Sequence, residues 1–188
     1  MNDKKVITIK DKSFGLSISS TEIQQAVKKV ADAINQDYAS LVDYQDSNKN
    51  PLFICVLNGA FMFAGDLMKE INFPCEITFV KLSSYEGLLT TGQVKEVIGL
   101  NESVVGRHVI VVEDIVDTGI TMEKIIHSLE AKGAAEIKVC TFFQKPEALQ
   151  RDIRVDYVAM MIPNDFIVGY GLDYDGYGRN YGEIYTLL

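Results

Sequence analysis

Apolar residues recur at Ile23, Val27, Val30 and Ile34, a spacing that puts them on one face of a helix starting near Ser19. Ser19 and Glu22 stand three apart, as in a capping box, where each side chain satisfies the other residue's N–H. The period then changes. LFICVL (52–57) is a short unbroken apolar run between turn residues, the pattern of a strand covered on both faces. AFMFAGDLMKEI (60–71) predicts a second helix that stops near Asn72 and Pro74, and CEITFVKL (75–82) predicts the next strand. HVIVVE (108–113) reads as a strand and TMEKIIHSLEAKG (121–133) as a helix. That helix has Met122, Ile125, Ile126 and Leu129 on one face and Gly133 as its stop. EIKVCTFF (136–143) and DYVAMMIP (156–163) supply two more strands. Strands separated by helices predict parallel pairing through right-handed crossovers, hence an α/β fold with an open, mostly parallel sheet flanked by helices.

Two stretches fall outside this alternation. Residues 83–107 lack a core pattern and predict a short β-ribbon or a mobile loop bending at Gly87 and Gly92. The tyrosine- and glycine-rich end, GYGLDYDGYGRNYGEIYTL, predicts a short strand, a turn and a final strand packed beside the N-terminal VITI as a small subdomain. The expected organisation is one domain over 1–188, with a core at about 20–165 and the subdomain built from about 1–15 and 166–188.

Composition narrows the function. With 47% hydrophobic and 23% charged residues the chain is ordinary for a globular protein. No apolar run is long enough to span a bilayer, and the N-terminus does not read as a signal peptide, so a cytoplasmic address is expected. Cys55, Cys75 and Cys140 are an odd, widely spaced set within apolar runs, which predicts buried reduced thiols rather than disulfides or a zinc site. The formal net charge of −8 argues against a nucleic-acid surface.

That charge sharpens the question posed by VVEDIVDTGIT (111–121). Glu113 and Asp114 end an apolar strand and Asp117 follows within one turn, although like charges so close oppose each other's ionisation. Ligands of open parallel sheets bind beyond the carboxyl ends of the strands. DTGIT then leads into a helix N-terminus, where unpaired N–H groups favour phosphate. Thr118 and Thr121 add hydroxyls, and Gly119 allows close approach of the main chain. Carboxylates suit hydroxyls or hydrated Mg²⁺. A sugar phosphate offers both kinds of group. The plain alternative is that Thr118 caps a helix whose dipole the acids favour. Paired acids at a buried strand end, costly without a partner, tip the balance.

VIVVEDIVDTGITM resembles the phosphoribosyl-pyrophosphate (PRPP) motif of type I phosphoribosyltransferases. VLNGAFMF, KLSSYEG, FFQKPEAL and PNDFIVGYGLDYDGYGRNY are similar, in order, to the hypoxanthine-guanine branch of that family. The resemblance implies the family's fold, in which the subdomain from the chain ends forms a hood. It also implies roles. Glu113 and Asp114 would hold the ribose hydroxyls and Mg²⁺. Asp117, Thr118, Gly119, Ile120 and Thr121 would wrap the 5′-phosphate, with Asp117 also the general base or acceptor at purine N7. Lys145 would donate to O6 of a 6-oxopurine, Phe166 would stack on the base, and the main chain of Ile167 would read its edge. Asp173 would bind a Mg²⁺ near pyrophosphate and, with Lys145 and Phe166, help build the purine pocket. Asn58, Gly59 and Arg179 would face the pyrophosphate itself. The peptide after Leu57 would be cis. Ser84 and Tyr85 would belong to a mobile loop closing over the reacting centre.

Judged singly, Lys145 reads as a solvated lysine, Phe166 as core, Asp173 as a turn residue and Arg179 as an exposed loop residue. His108 and His127 read as structural or surface residues. Two departures stand out: Asn58 replaces the lysine or arginine of many relatives, and Ile120 replaces the lysine or asparagine of some. The implied activity is purine salvage, with PRPP and hypoxanthine or guanine giving IMP or GMP and pyrophosphate, in a dimer or tetramer. A PRPP-binding regulator and a xanthine-preferring enzyme are the rival readings.

Overall fold

The structure, a computed structural model, describes residues 5–43, 46, 49–83 and 95–188. The first helix, α1 (Ser20–Tyr38), carries the expected capping box between Ser19 and Glu22 and buries Ile23, Val27, Val30 and Ile34. The main sheet comprises β3 (Leu52–Leu57), β4 (Glu76–Ser83), β5 (Lys95–Ile98), β6 (His108–Val116), β7 (Glu136–Gln144) and β8 (Tyr157–Met161). Their order is β5-β4-β3-β6-β7-β8, parallel throughout except for β5, which pairs antiparallel with β4.

Why the strands read as unbroken apolar runs is plain from their two faces. Phe53, Cys55, Ile110 and Val112 join the core under α1 and α2 (Phe61–Glu70), whereas Leu52, Ile54, Val109 and Val111 join the core under α3 (Ile120–Ala131). The crossover through α2 runs outward on one side of β3 and that through α3 outward on the other side of β6. Right-handed crossovers in opposite directions place the two helices on opposite faces. The sheet therefore reverses its winding between β3 and β6, the place where open α/β sheets bind ligands.

A second sheet joins both chain ends. Its order is β1 (Val6–Ile9), β2 (Lys12–Ile18), β10 (Ile184–Leu187) and β9 (Ile167–Val168). The final strand thus pairs with β2, and VITI lies one strand further out than expected. KSFGLSI places Phe14, Leu16 and Ile18 at alternate positions, the period of a strand, a signal assigned to no element in the sequence reading.

Other expectations need adjusting. The strand expected at 108–113 runs on to Val116, because Ile115 and Val116 continue the ladder opposite Phe143 and Gln144. The following helix begins at Ile120, not Thr121. Cys55 and Cys140 are buried, but Cys75 at the head of β4 is only partly so. His108 Nδ1 donates at 2.9 Å to the Glu136 carboxylate, which also receives the Tyr38 hydroxyl at 3.0 Å, and so helps fasten the end of α1 to the sheet. His127 is exposed on α3. Ser84 and Tyr85 lie outside the described residues.

Phe142 is the hub of the core beneath α2. Its ring lies 5.2 Å from Phe63, 4.6 Å from Phe143 and 4.9 Å from Tyr170 between centroids. Phe142→Ala should cost roughly 3–5 kcal/mol by lost burial and residual cavity, measured as a lower midpoint in denaturant unfolding.

Candidate active site

The central strands part at their carboxyl ends. Pairing of β3 with β6 ends at Cys55 and Val112, while β3 continues beside β4 to Leu57 and β6 beside β7 to Val116. The crevice so formed has the 58–60 loop on one lip and residues 117–119 on the other. Each lip leads into a helix, and neither N-terminus is capped by a side chain. The first-turn N–H groups of α2 and α3 thus remain available to an anion. Thr118 Oγ1 receives only a long contact, 3.4 Å, from the Ile120 N–H, so the capping alternative has little to rest on.

Glu113 and Asp114 sit where the strands part. The Asp114 carboxylate accepts from the Ile115 N–H at 2.7 Å, and Glu113 accepts from the Asp114 N–H at 3.3 Å. Burial, and then the adjoining Asp114 charge, push the Glu113 carboxyl well above the usual carboxylate range. Burial also raises Asp114, against hydrogen bonding from its neighbours and the attraction of Arg179. Behind the pair the Cys55 thiol is pushed up to about 12 by burial and by both acids, which leaves it a neutral, inert group.

The opposite lip is shaped around this pair. A Cβ added to Gly59 would fall 1.3 Å from Asp114 Oδ2, so the chain passes the acid only as glycine. The Leu57–Asn58 peptide is cis, and Asn58 is exposed beside it. In turn a Cβ on Gly171 would fall 2.0 Å from the Gly59 carbonyl oxygen. The 169–181 segment therefore lies directly against the loop. Within it Arg179 donates to the Gly171 carbonyl at 2.7 Å and pairs with Asp173 at 2.6 Å, and Asp173 also accepts from the Gly176 N–H at 2.6 Å.

On the other lip, Asp117, Thr118, Gly119 and Thr121 line a small cleft of about 90 Å³ with Glu113, and Gly119 takes φ 80° at the head of α3. Lys145 packs beside them: its N–H donates to the Val116 carbonyl at 3.0 Å and its ammonium lies 3.9 Å from Asp117 and 3.3 Å from Asn164 Oδ1. It is 8% exposed, the reverse of a solvated surface lysine. Phe166 reverses its singly judged reading too. It is 47% exposed, with Phe14 and Tyr174 ring centroids 6.3 and 5.9 Å away. Ile167 is held in β9 opposite Thr186.

The structure brings the expected residues together as two linked groups. Glu113, Asp114, Gly59, Arg179 and Asp173 form one, and Asp117 with Lys145 and Asn164 forms the other. Glu113, Asp114 and Asp173 do not gather as one metal cluster: among the described residues no group of three or more His, Cys, Asp or Glu side chains does. Asn164 was missed by sequence reasoning, since an asparagine after proline reads simply as a turn.

A phosphoribosyl transferase domain model matches residues 19–175. The chain belongs to the phosphoribosyltransferase family. A hypoxanthine-guanine phosphoribosyltransferase of Streptococcus thermophilus is 39% identical over 163 residues, 86% of each chain. A Trypanosoma cruzi hypoxanthine phosphoribosyl transferase superposes with a TM-score of 0.86 at 34% identity, covering 97% of this chain and 95% of that one. A Bacillus anthracis hypoxanthine-guanine phosphoribosyltransferase with a HEPES molecule in its active site gives 0.82 at 35% identity, with 92% and 96% covered.

The acid pair gives this phosphoribosyltransferase a measurable liability. A carboxyl whose pKa is raised on folding leaves the folded state holding more protons than the unfolded, so stability falls as pH rises above the unfolded value near 4.5. Neither residue is wholly shut from solvent, which screens part of the repulsion. Glu113→Gln should therefore stabilise the ligand-free protein by roughly 1–3 kcal/mol at pH 7.5, several degrees in Tm, with the gap closing toward pH 4. Thermal unfolding of both proteins across that range is the check.

Proposed function

We propose that this protein transfers the 5-phosphoribosyl group of PRPP to N9 of hypoxanthine or guanine, giving IMP or GMP and pyrophosphate. The observation that carries the reading is the buried Lys145 ammonium 3.9 Å from the Asp117 carboxylate, beside an acid pair and an open helix N-terminus. A cation and an acceptor so placed match O6 and N7 of a 6-oxopurine, the two atoms on that edge of the ring.

Asp117 accepts or shares the N7 proton as positive charge builds on the purine. Lys145 donates to O6, Phe166 stacks on the ring, and the Ile167 main chain reads the remaining edge. The α3 N-terminus with Thr118, Gly119, Ile120 and Thr121 holds the 5′-phosphate, and Glu113 and Asp114 accept the ribose hydroxyls. Asn58 and Gly59 present main-chain N–H groups to pyrophosphate. Arg179 adds its guanidinium, already oriented by Gly171 and Asp173.

Two crowded carboxylates with raised pKa values are the donor set that a hard divalent cation neutralises, so the residues fit Mg²⁺. When bound, Mg²⁺ would offset the charge of the departing pyrophosphate. Glu113 and Asp114 would hold it on the ribose side. Asp173 would bind a Mg²⁺ near pyrophosphate, using acceptor sites left free by Arg179 and Gly176. Substrate oxygens and water would complete its shell. In this reading the small sheet is a hood over the base, and the protein is a cytoplasmic dimer or tetramer. The exposed Phe61, Ile77 and Phe79 provide apolar surface for such assembly.

A coupled assay with PRPP, Mg²⁺ and each base in turn tests the reading. Hypoxanthine and guanine should react, whereas adenine should fail because its 6-amino group meets the Lys145 ammonium donor to donor. Turnover of xanthine alone would move the assignment to the rival enzyme, and PRPP binding without turnover of any base would leave a regulator. Asp117→Asn should lower kcat by about 10²-fold or more while PRPP affinity changes little. Chelating Mg²⁺ should abolish PRPP binding, followed by calorimetry.

A further inference from the structure

Tyr170 adopts φ 47°, a left-handed conformation that a bulky side chain rarely takes unless its surroundings hold it there. It is 3% exposed, and its hydroxyl donates to Asp66 Oδ2 at 2.8 Å. Asp66 lies on α2, the helix that starts at the 58–60 loop, and its carboxylate also receives Gln24 at 2.8 Å and Lys69 at 2.5 Å. Burial opposes the charge on Asp66, but these three donors overcome it and hold the carboxyl below its usual range. A permanent carboxylate therefore anchors the hydroxyl.

The backbone around Tyr170 is equally tied. Its N–H donates to the Tyr181 carbonyl at 2.7 Å, and the Gly171 N–H donates to the Arg179 carbonyl at 3.0 Å. Gly171 abuts the Gly59 carbonyl. The 166–181 segment thus meets the 58–60 loop and its helix at two points, one through the main chain and one through a side chain. A single contact leaves a hinge, whereas two fix distance and angle together.

We propose that Tyr170 is a positioning residue: through Asp66 its hydroxyl sets the spacing between the segment bearing Phe166, Ile167 and Arg179 and the loop bearing Asn58 and Gly59. This rests on the functional reading above, in which the first segment holds the purine and the second the pyrophosphate. The purine N9 attacks C1′ opposite the departing pyrophosphate, so the relative placement of these two parts sets the attack geometry. Each substrate keeps its own contacts when the strut is lost. What is lost is their alignment, and misplacement by about 1 Å costs on the order of 10²-fold.

Tyr170→Phe keeps the ring against Phe142 and removes only the hydroxyl. It should lower kcat about tenfold or more, with KM for PRPP and for hypoxanthine each within about threefold of wild type. Asp66→Asn retains an acceptor for the hydroxyl and should keep most turnover. Asp66→Ala should repeat the Tyr170→Phe loss, and the double variant should be no worse than either single one, because one link cannot be lost twice. A Tyr170→Phe enzyme with wild-type kcat and only a lower Tm would overturn the proposal, as would losses that multiply in the double variant. Active wild type with unimpaired Tyr170→Phe defeats the strut alone, whereas inactive wild type defeats the functional reading itself.

Discussion

Two carboxylates, Glu113 and Asp114, repel each other at the end of a central strand, and much of the surrounding architecture accommodates that repulsion. Val112 marks the last register with β3, so the acids emerge where the sheet opens rather than where it simply stops. Asp114 presses on the opposite lip so closely that only glycine passes, and that glycine's carbonyl in turn meets Gly171. The sheet, the 58–60 loop and the C-terminal segment are thereby in contact through one short chain of atoms. A charge pair that is costly in the free protein becomes useful when a cation or a set of hydroxyls arrives.

An acidic chain that binds polyanions needs attraction that does not come from net charge. Here the available positive character is mostly dipolar: the α2 and α3 N-termini converge on the crevice without side-chain caps. Among the described residues, the formal cations near it that pair with site residues are Arg179 and Lys145. Arg179 is paired with Asp173, and Lys145 is nearly buried between Asp117 and Asn164. Such groups orient a ligand more than they attract it from solution. On the proposed reading the ligand's own magnesium offsets the remaining charge, which explains how Asn58 can stand where many relatives place a cation.

The main sheet was legible because its strands are buried on both faces and its helices on one, so the apolar period announces each. β2 alternates as a strand should, with Phe14, Leu16 and Ile18 at every second position, but its partner β10 lies nearly the whole chain away, so its place between β1 and β10 carried no local signal. The acid pair and the helix N-terminus were visible because charge at the end of an apolar run is costly and therefore informative. Lys145 and Phe166 were invisible to residue-by-residue reasoning for opposite reasons: a lysine is by default exposed and a phenylalanine by default buried. Only the similarity of whole motifs pointed to them. Asn164, Asp66 and Tyr170 carried no local signal, since their roles depend on partners from distant segments.

On the proposed reading, the inverted burial of Lys145 and Phe166 bears on selectivity. An ammonium 8% exposed has lost most of its water, so its pairing with Asn164 and Asp117 is tightly constrained. A 6-oxo group offers it an acceptor, whereas a 6-amino group offers a donor and leaves a buried charge partly unmet. Sites built this way reject the wrong partner by roughly 10⁴–10⁵, far beyond what shape alone provides. Phe166 works in the other sense: its face is open, and tilted packing on Phe14 and Tyr174 holds it in place without covering it. On that reading stacking tolerates any purine, so discrimination would fall to the lysine and affinity to the ring. The small sheet, assembled from both chain ends, matters because Phe14 comes from one end and Phe166 from the other, and their contact fixes the Phe166 ring.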